Sequence, residues 1–338
     1  FLGSDVIRTT SNRDIHLNQV TYKPWLAAAL DLGTNSFHVT IVDTRAQPYR
    51  VLFRYGQKVQ LGAGLDQANF LSTDAIDRGL NAIQIMASQM TQVAPKNRHI
   101  VATNTLRVAC NRQDFIQPAE EFLQAPIQVI SGKREAELIF AGVADELSSH
   151  SLGSQDKLVI DIGGGGTEIA CGRDTPALVN SFPMGCVVFG KQFFPDRRLT
   201  ETALQAAVEA ARQCVSSQVA AYKQQGWQLC IGSSGTIKAL AALSGKQQQG
   251  LAMVTADSMA NIEKRIMQFG SLDEVVLNDL RSDRWEILPA GYAITLGIMQ
   301  AFELSELYFS SGALREGVIA SQIEAKSKPL HPCVKVLN

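Results

Sequence analysis

The sequence predicts an α/β fold built from two similar domains that face each other across a cleft. The first observation is an apolar strand ending in Asp31, followed by a glycine-containing polar turn at residues 33–36 and a second apolar strand at residues 37–43. The second observation is the same order of features around Asp161, 130 positions later in the chain. A supersecondary unit that recurs at such a spacing indicates a duplicated α/β domain.

The other elements follow in chain order. Residues 1–24 have no periodicity and predict a loosely held lead-in, and residues 327–338 predict a tail. Between them we expect a first domain over residues 25–140 and a second over residues 141–326. Hydrophobic patterning predicts first-domain strands at 51–54, 58–61, 98–103 and 127–130, and helices at 73–92, from 104 through 112, and from 131 onward. In the second domain it predicts a helix at 203–222 and strand-turn-helix segments at 229–238 and 307–318.

Composition indicates a soluble globular protein. The 338 residues are 46% hydrophobic, which is enough for about two domains with full cores. The formal net charge of -1 argues against a general binder of nucleic acid or membrane surfaces, so any polyanion has to be held by a local group of cations. No apolar run approaches the roughly 18 residues that cross a bilayer, and the six cysteines have no CxxC spacing. We therefore expect a cytoplasmic protein with reduced thiols and with no nucleic-acid or membrane partner.

The stretch at residues 158–170 carries the clearest chemical signal. An apolar strand ends in Asp161, four consecutive glycines follow at 163–166, and a second strand contains Glu168. Glycines allow positive φ and let backbone N–H groups converge on an anion at close range, which suits phosphate. Asp161 and Glu168 lie where a divalent cation or an attacking water could be held. An ordinary glycine-rich hairpin turn is the alternative interpretation.

A second anion site is predicted where segment 229–238 passes from a strand through a small-residue turn into a helix. Ser234, Gly235 and Thr236 would present N–H groups and hydroxyls at the helix N-terminus, where the macrodipole favours negative charge. The chain has no GxxxxGK[ST] loop, no correctly spaced GxGxxG and no HExxH pair. A P-loop NTPase, a Rossmann dehydrogenase and a histidine-built metal site are therefore not supported.

The two hairpins and the Ser-Gly-Thr turn resemble the superfamily of sugar kinases, heat-shock chaperones and actin. More closely, they resemble the exopolyphosphatase and guanosine pentaphosphate phosphohydrolase (Ppx/GppA) family, over about residues 26–322. This resemblance implies two actin-like (ribonuclease H-like) α/β domains, duplicated, with an interdomain cleft. It is carried by Asp31-Leu32-Gly33-Thr34-Asn35-Ser36-Phe37, Ala102-Thr103-Asn104-Thr105-Leu106-Arg107, Ile130-Ser131-Gly132 with Glu135-Ala136, Asp161-Ile162-Gly163-Gly164-Gly165, Met184-Gly185-Cys186, Ser234-Gly235-Thr236 and Gly312-Ala313-Leu314-Arg315-Glu316-Gly317.

The resemblance implies roles for individual positions. It makes Glu135 the base that activates water, and Asp161 and Glu168 the carboxylates that hold a metal or orient water. From the residues alone, Glu135 is also explained by the helix macrodipole and Arg107 by a solvated helix end. Lys58 and Lys238 are weaker candidates for holding distal phosphates. The implied phosphate contacts are Asn35, Ser36, Arg107, Gly163, Gly164, Gly165, Ser234, Gly235 and Thr236.

The sequence departs from the family pattern in several places. Arg134 stands where an acidic residue often precedes the base, and we expect it to lower the pKa of Glu135. Gly166 replaces a frequent serine and Ser311 a frequent aspartate. Longer members of the family carry a C-terminal helical half with an His-Asp metal motif, and the chain reaches Asn338 without one. This favours a short two-domain member or a truncated chain.

The expected function is hydrolysis of a terminal phosphoanhydride with Mg²⁺ or another divalent cation as cofactor. The expected partners are inorganic polyphosphate or guanosine penta- or tetraphosphate, between which the sequence does not choose. A nucleotide-dependent kinase or ATPase of the same superfamily and a non-catalytic sensor of these ligands remain alternatives. The alanine-rich helix at 203–222 allows a homodimer interface, although a buried core face is favoured.

Overall fold

The computed structural model describes residues 21–327, and side chains as far as Ile323. Most of the predicted lead-in and nearly all of the predicted tail lie outside these residues. Two sheets, each flanked by helices, make up the described chain. The helices are α1 Thr73–Gln89, α2 Asn104–Val108, α3 Gln113–Leu123, α4 Gly132–Leu147, α5 Cys186–Phe193, α6 Glu201–Gln225, α7 Ser234–Ser244, α8 Ala256–Ile266, α9 Leu288–Phe302 and α10 Leu314–Ser327.

The first sheet contains the hairpin that ends at Asp31. Its five strands have the order β3-β2-β1-β4-β5. Strands β1, β2 and β3 form an antiparallel meander, and β4 and β5 add in parallel to β1. The strands are β1 Leu26–Leu32, β2 Ser36–Asp43, β3 Arg50–Lys58, β4 Arg98–Ala102 and β5 Ile127–Val129.

The second sheet repeats this arrangement and extends it. Its seven strands have the order β10-β11-β12-β9-β6-β7-β8. The segment β8-β7-β6-β9-β12 has the same order and the same strand directions as the whole first sheet, so the predicted duplication into two actin-like α/β domains is confirmed. The strands are β6 Lys157–Ile162, β7 Thr167–Gly172, β8 Pro176–Phe182, β9 Leu229–Ser233, β10 Lys246–Gln248, β11 Leu251–Thr255 and β12 Glu306–Phe309.

Two element predictions in the first domain are wrong. The strand predicted at 51–54 lies within β3, but the strand predicted at 58–61 does not form, because β3 ends at Lys58 and Leu61 begins a 3₁₀ turn, Leu61–Gly64. The helix predicted through Arg112 ends at Val108, where Ala109 is extended. The Asn111 side chain pairs there with the backbone N–H and carbonyl of Leu71, which holds this segment out of the helix.

A third hydrophobic cluster lies between the two sheets, in addition to one core on the outer side of each sheet. It joins β1 and β2 to β6 and β7 through helices α4 and α10. The proposed domain division at residue 140 falls inside α4. Helix α6 buries the face that includes Leu204 and Val208 within the second-domain core. Among residues 21–327 no helix is long and apolar enough to span a membrane.

Helices α4 and α10 cross at glycine contacts. A Cβ on Gly142 would overlap the carbonyl oxygen of Ala313, and one on Gly317 would overlap the carbonyl oxygen of Leu138. Because the obstructing atoms are backbone atoms, neither side chain could be accommodated by a rotamer change. These two glycines therefore set how closely the two helices approach.

We predict that Gly142→Ala lowers the free energy of unfolding by about 1–3 kcal/mol, because the added methyl group forces α4 and α10 apart. Gly190 in α5 is the matched control, since a Cβ there would meet no atom within 4 Å. Gly190→Ala should stabilise the protein by about 0.5–1 kcal/mol through helix propensity. Urea unfolding of both variants measures the difference, and equal stabilities would contradict the assigned contact.

Candidate active site in the interdomain cleft

The tips of the two hairpins meet at a cavity of about 470 Å³. Its lining comes from both sheets and from the first turns of α4, α7 and α10. Lys58 and Lys238 are on its wall, whereas Arg107 and Glu168 are not. The other predicted site residues all line it: Asn35, Ser36, Glu135, Asp161, Gly163, Gly164, Gly165, Ser234, Gly235 and Thr236.

Close packing explains the two middle glycines of the run at 163–166. A Cβ on Gly164 would lie 3.0 Å from Cβ of Thr34, which belongs to the first hairpin tip. A Cβ on Gly165 would lie 2.7 Å from Oγ1 of the same threonine. None of the four glycines has a φ in the left-handed region, so positive φ is not the reason for them. The bare backbone of the second tip is therefore needed where it contacts the first tip.

Asp31 and Asp161 occupy equivalent positions at the ends of β1 and β6. Burial raises the pKa of Asp31 to about 7, with the charge of Asp161 adding to the effect and that of Arg315 opposing it. Burial likewise raises the pKa of Asp161 to about 6, although Ser233 Oγ donates a hydrogen bond to its Oδ2. Oδ1 of Asp31 is buried and has no hydrogen-bond partner among residues 21–327. These carboxyl groups thus lack the cationic partners that buried charges require.

Glu135 lies in the first turn of α4, with Ser131 as the N-cap. Arg107 Nη1 donates hydrogen bonds to Glu135 Oε2 at 3.1 Å and to the carbonyl oxygen of Ile130 at 2.9 Å. Burial raises the pKa of Glu135 despite this ion pair, and the charges of Asp31 and Asp161 add to the increase. The predicted lowering of this pKa by Arg134 is wrong.

Arg134 does not lower the pKa of Glu135 because its side chain points away from that residue. Its Nη1 pairs with Glu137 Oε2 at 2.9 Å on the exposed side of α4. Glu135 points to the opposite, buried side and is only 9% exposed. The charge of Arg134 is therefore paired with Glu137 on the exposed surface of the helix and does not lower the pKa of Glu135.

Glu168 lies on β7, behind the cavity wall. It is 3% exposed, and its Oε1 accepts a hydrogen bond of 2.8 Å from Ser181 Oγ on β8. Burial raises the pKa of Glu168 well above its usual range, and the charges of Glu135 and Asp161 raise it further. The structure thus places Glu168 near the predicted base and near Asp161, but one layer away from the cleft surface.

The Ser-Gly-Thr turn begins helix α7 with an unusual backbone. Ser234 has φ of +82°, a region that costs a non-glycine residue energy and is often found at functional sites. Thr236 Oγ1 donates to the carbonyl oxygen of Ile162, which fixes the turn to the end of β6. A Cβ on Gly235 would lie 2.5 Å from Cζ of Arg284, so the Arg284 guanidinium packs directly on this turn.

Several cleft residues were missed by the sequence-based site prediction. Arg281, Arg284 and Arg315 line the cavity, and their charges, after burial, lower the pKa of His38 to about 3. Asp31 lines it as well. Arg315 belongs to a strand-turn-helix segment and Asp31 to the first hairpin, so these two sequence patterns could have found them. Arg281 directly precedes a 3₁₀ segment, Ser282–Ile287, and Arg284 lies within it; this segment carries no sequence signal for a cleft.

The site has the donor chemistry for Mg²⁺. The described residues contain no group of three or more His, Cys, Asp or Glu side chains arranged around a common metal position. Mg²⁺ does not require such a group, because it is commonly held by one or two carboxylates, waters and substrate phosphates. The buried carboxyl groups raise one another's pKa values, and Asp31 Oδ1 is unpartnered. A divalent cation beside Asp161 would offset this excess of negative charge.

Fold and cleft together define a two-domain actin-like α/β protein with buried carboxyl groups between two glycine-containing hairpin tips. The chain belongs to the Ppx/GppA phosphatase family, whose family model matches residues 40–326.

Two solved structures illustrate the similarity. The Aquifex aeolicus member of the Ppx/GppA family is 23% identical, with a TM-score of 0.71 over 90% of this chain and 99% of that chain. An exopolyphosphatase from Cytophaga hutchinsonii is 21% identical, with a TM-score of 0.77 over 89% of this chain and 98% of that chain. At these identities the similarity shows the fold.

We predict that the metal-free protein becomes less stable as the pH rises from about 4 to about 7. The pKa of Asp31 rises from 3.8 to about 7 on folding, and that of Asp161 from 3.8 to about 6. In this window the folded state binds more protons than the unfolded state, so the stabilisation present at low pH is lost as the folded protein deprotonates. Urea unfolding in EDTA across this range measures the slope.

Asp31→Asn should flatten this pH dependence, because the amide does not titrate. Asp77→Asn, at an exposed position on α1, is the control and should leave the wild-type slope unchanged. The same steep slope in all three proteins would show that Asp31 does not hold its proton in the folded state.

Proposed function

We propose that the protein hydrolyses the terminal phosphoanhydride of inorganic polyphosphate, of guanosine pentaphosphate, or of both. The observation that carries the proposal is the position of Glu135. It is a buried carboxyl group at a cavity that the two hairpin tips line. Hydrolysis of a phosphoanhydride requires a positioned water, a group that accepts its proton, and donors for the transferred phosphoryl oxygens. Each of these requirements has a candidate in the cleft.

The terminal phosphoryl group would be bound by the glycine-tip amides, by Asn35 and Ser36, and by the turn from Ser234 to Thr236. These groups come from both domains, so they can surround the phosphoryl group. Arg107 does not line the cavity, and its Nη1 donates to Glu135 and to the carbonyl oxygen of Ile130. In the proposal, Arg107 acts by orienting the base through Nη1.

Glu135 would orient the attacking water and accept its proton. This requires the ionised carboxylate, which burial disfavours and Arg107 favours. We therefore expect turnover to increase with pH as Glu135 loses its proton. Mg²⁺, held by Asp161 with support from Glu168, would supply positive charge for the developing negative charge on the phosphoryl oxygens.

The distal part of the substrate would extend toward the cations of the cleft. Lys58, Lys238 and Arg284 line the cavity. Both polyphosphate and the guanosine substrate carry additional phosphates that these cations fit.

The free thiols at Cys110, Cys171, Cys186, Cys214 and Cys230 support the expected reducing, cytoplasmic setting.

We predict that Glu135→Gln lowers kcat by about 100-fold or more for each substrate that the wild type hydrolyses, because the amide cannot accept the proton. The glutamine retains an oxygen that can accept from Arg107. The control is Glu137→Gln, on the exposed side of the same helix, which should keep wild-type activity. Phosphate release is measured with polyphosphate and with guanosine pentaphosphate at equal concentration, in Mg²⁺.

Three other results would decide against the proposal. Wild-type rates in Glu135→Gln would exclude this residue as the base. Tight binding of both ligands without phosphate release in any divalent metal would favour a sensor. Transfer of phosphate from ATP to an acceptor would favour a kinase of the same superfamily.

A further inference from the structure

Ser181 contacts Glu168 across the outer pair of strands in the second sheet. Glu168 on β7 and Ser181 on β8 are directly opposite each other in the antiparallel register, so their side chains share one face. The Ser181 hydroxyl donates to Glu168 Oε1 at 2.8 Å. This is the one hydrogen bond that the Glu168 carboxyl group makes with side chains or backbone of residues 21–327. Ser181 therefore determines where this carboxyl group points.

Two buried carboxyl groups lie near one guanidinium group at this place. Arg107 is bonded to Glu135 at 3.1 Å, and its charge lowers the pKa of both Glu135 and Glu168. The charge of Glu135 in turn raises the pKa of Glu168. The charge of the Arg107 guanidinium group therefore acts on both carboxyl groups, although it is bonded to Glu135 only.

Ser181 also packs against the helix that carries Glu135. A Cβ on Gly132, in the first turn of α4, would overlap both Cβ and Oγ of Ser181. The same position would lie 3.8 Å from Nη2 of Arg107. The serine thus lies between Glu168 and the first turn of α4, beside Arg107.

We propose that Ser181 is a positioning residue that holds Glu168 back from Arg107, so that Arg107 stays bonded to Glu135. The inference rests on the proposed function only in taking Glu135 as the base. A buried carboxyl group that loses its donor is strongly driven to find another. The donor at hand is the Arg107 guanidinium. Once Arg107 turned to Glu168, Glu135 would lose the contact that orients it.

Ser181→Ala should lower kcat by about 10- to 100-fold and leave KM nearly unchanged, because the phosphate-binding groups of the cleft are not altered. Ser181→Cys is the volume-matched variant. It should behave like the alanine variant, since a thiol is a weak donor. A crystal structure of Ser181→Ala should show Arg107 bonded to Glu168. Thermal unfolding of each variant establishes that it is folded.

A serine at position 166 could replace the hydrogen bond to Glu168 that Ser181→Ala removes. A Cβ there would lie 3.2 Å from Glu168 Oε1 and 4.0 Å from Ser181 Oγ, so a serine hydroxyl at this position reaches the same carboxyl group. The double variant Ser181→Ala/Gly166→Ser should therefore regain most of the lost kcat and restore the Arg107–Glu135 contact. A loss of packing at residue 181 would not be repaired from residue 166.

The outcomes separate the inference from the proposed function. Wild-type kcat in a folded Ser181→Ala, or a structure in which Arg107 stays on Glu135, would overturn the inference while hydrolysis stands. A double variant as slow as Ser181→Ala, with Glu168 still on Arg107, would also overturn it. If the wild-type protein released no phosphate, the proposed function would fail, and the crystal structures would still decide which carboxyl group Arg107 contacts.

Discussion

Burial of carboxyl groups between the two sheets is the constraint on which the site depends. Asp31, Asp161, Glu135 and Glu168 all have raised pKa values, with burial as the largest cause. Among residues 21–327 only Glu135 of these four has an ion pair, with Arg107. Such an arrangement disfavours the ligand-free state and favours binding of cations and protons. In the proposed reaction the same property would favour a divalent cation beside the phosphate substrate.

Helix α4 connects the buried carboxyl groups of the site to the turn before α10. Its first turn carries Glu135, and its last turn carries Glu146, which accepts hydrogen bonds from Ser310 and Ser311 and, at 2.7 Å, from the backbone N–H of Gly312. The turn that contains Ser310, Ser311 and Gly312 leads into α10. The glycine contacts between α10 and α4 fix the separation of the two helices. Ser311 is thus a donor to Glu146, where the aspartate frequent in the family would repel it. The departure at Ser311 is compatible with the structure because it matches its partner.

The sequence predicted the two hairpins and the duplicated fold because their signals are local. An apolar run, an aspartate and glycines within about ten residues are enough to identify the Asp31 and Asp161 hairpins. The contacts between segments had no such signal. The donor to Glu168 lies on the next strand, 13 positions away, and Arg107 meets Glu135 from another helix. Likewise, the direction of Arg134 follows from which side of α4 is buried, so its charge was assigned to the wrong carboxyl group.

Substrate choice in the proposed reaction belongs to the part of the cleft that the hairpins do not form. In the proposal the tip amides would bind the terminal phosphoryl group, which is the same in both substrates, so they would not discriminate. The substrates differ in the leaving group, which would extend toward other cations that line the cavity, among them Arg281 and Arg284. These two arginines lie at the start of and within the 3₁₀ segment Ser282–Ile287, outside the glycine hairpins. A Cβ on Gly166 would lie 3.2 Å from Oε1 of Glu168 and 3.4 Å from the carbonyl oxygen of Phe182. In the proposal the hydroxyl missing at Gly166 would therefore bear on the alignment of the carboxyl groups, and Arg281 and Arg284 would bear on specificity.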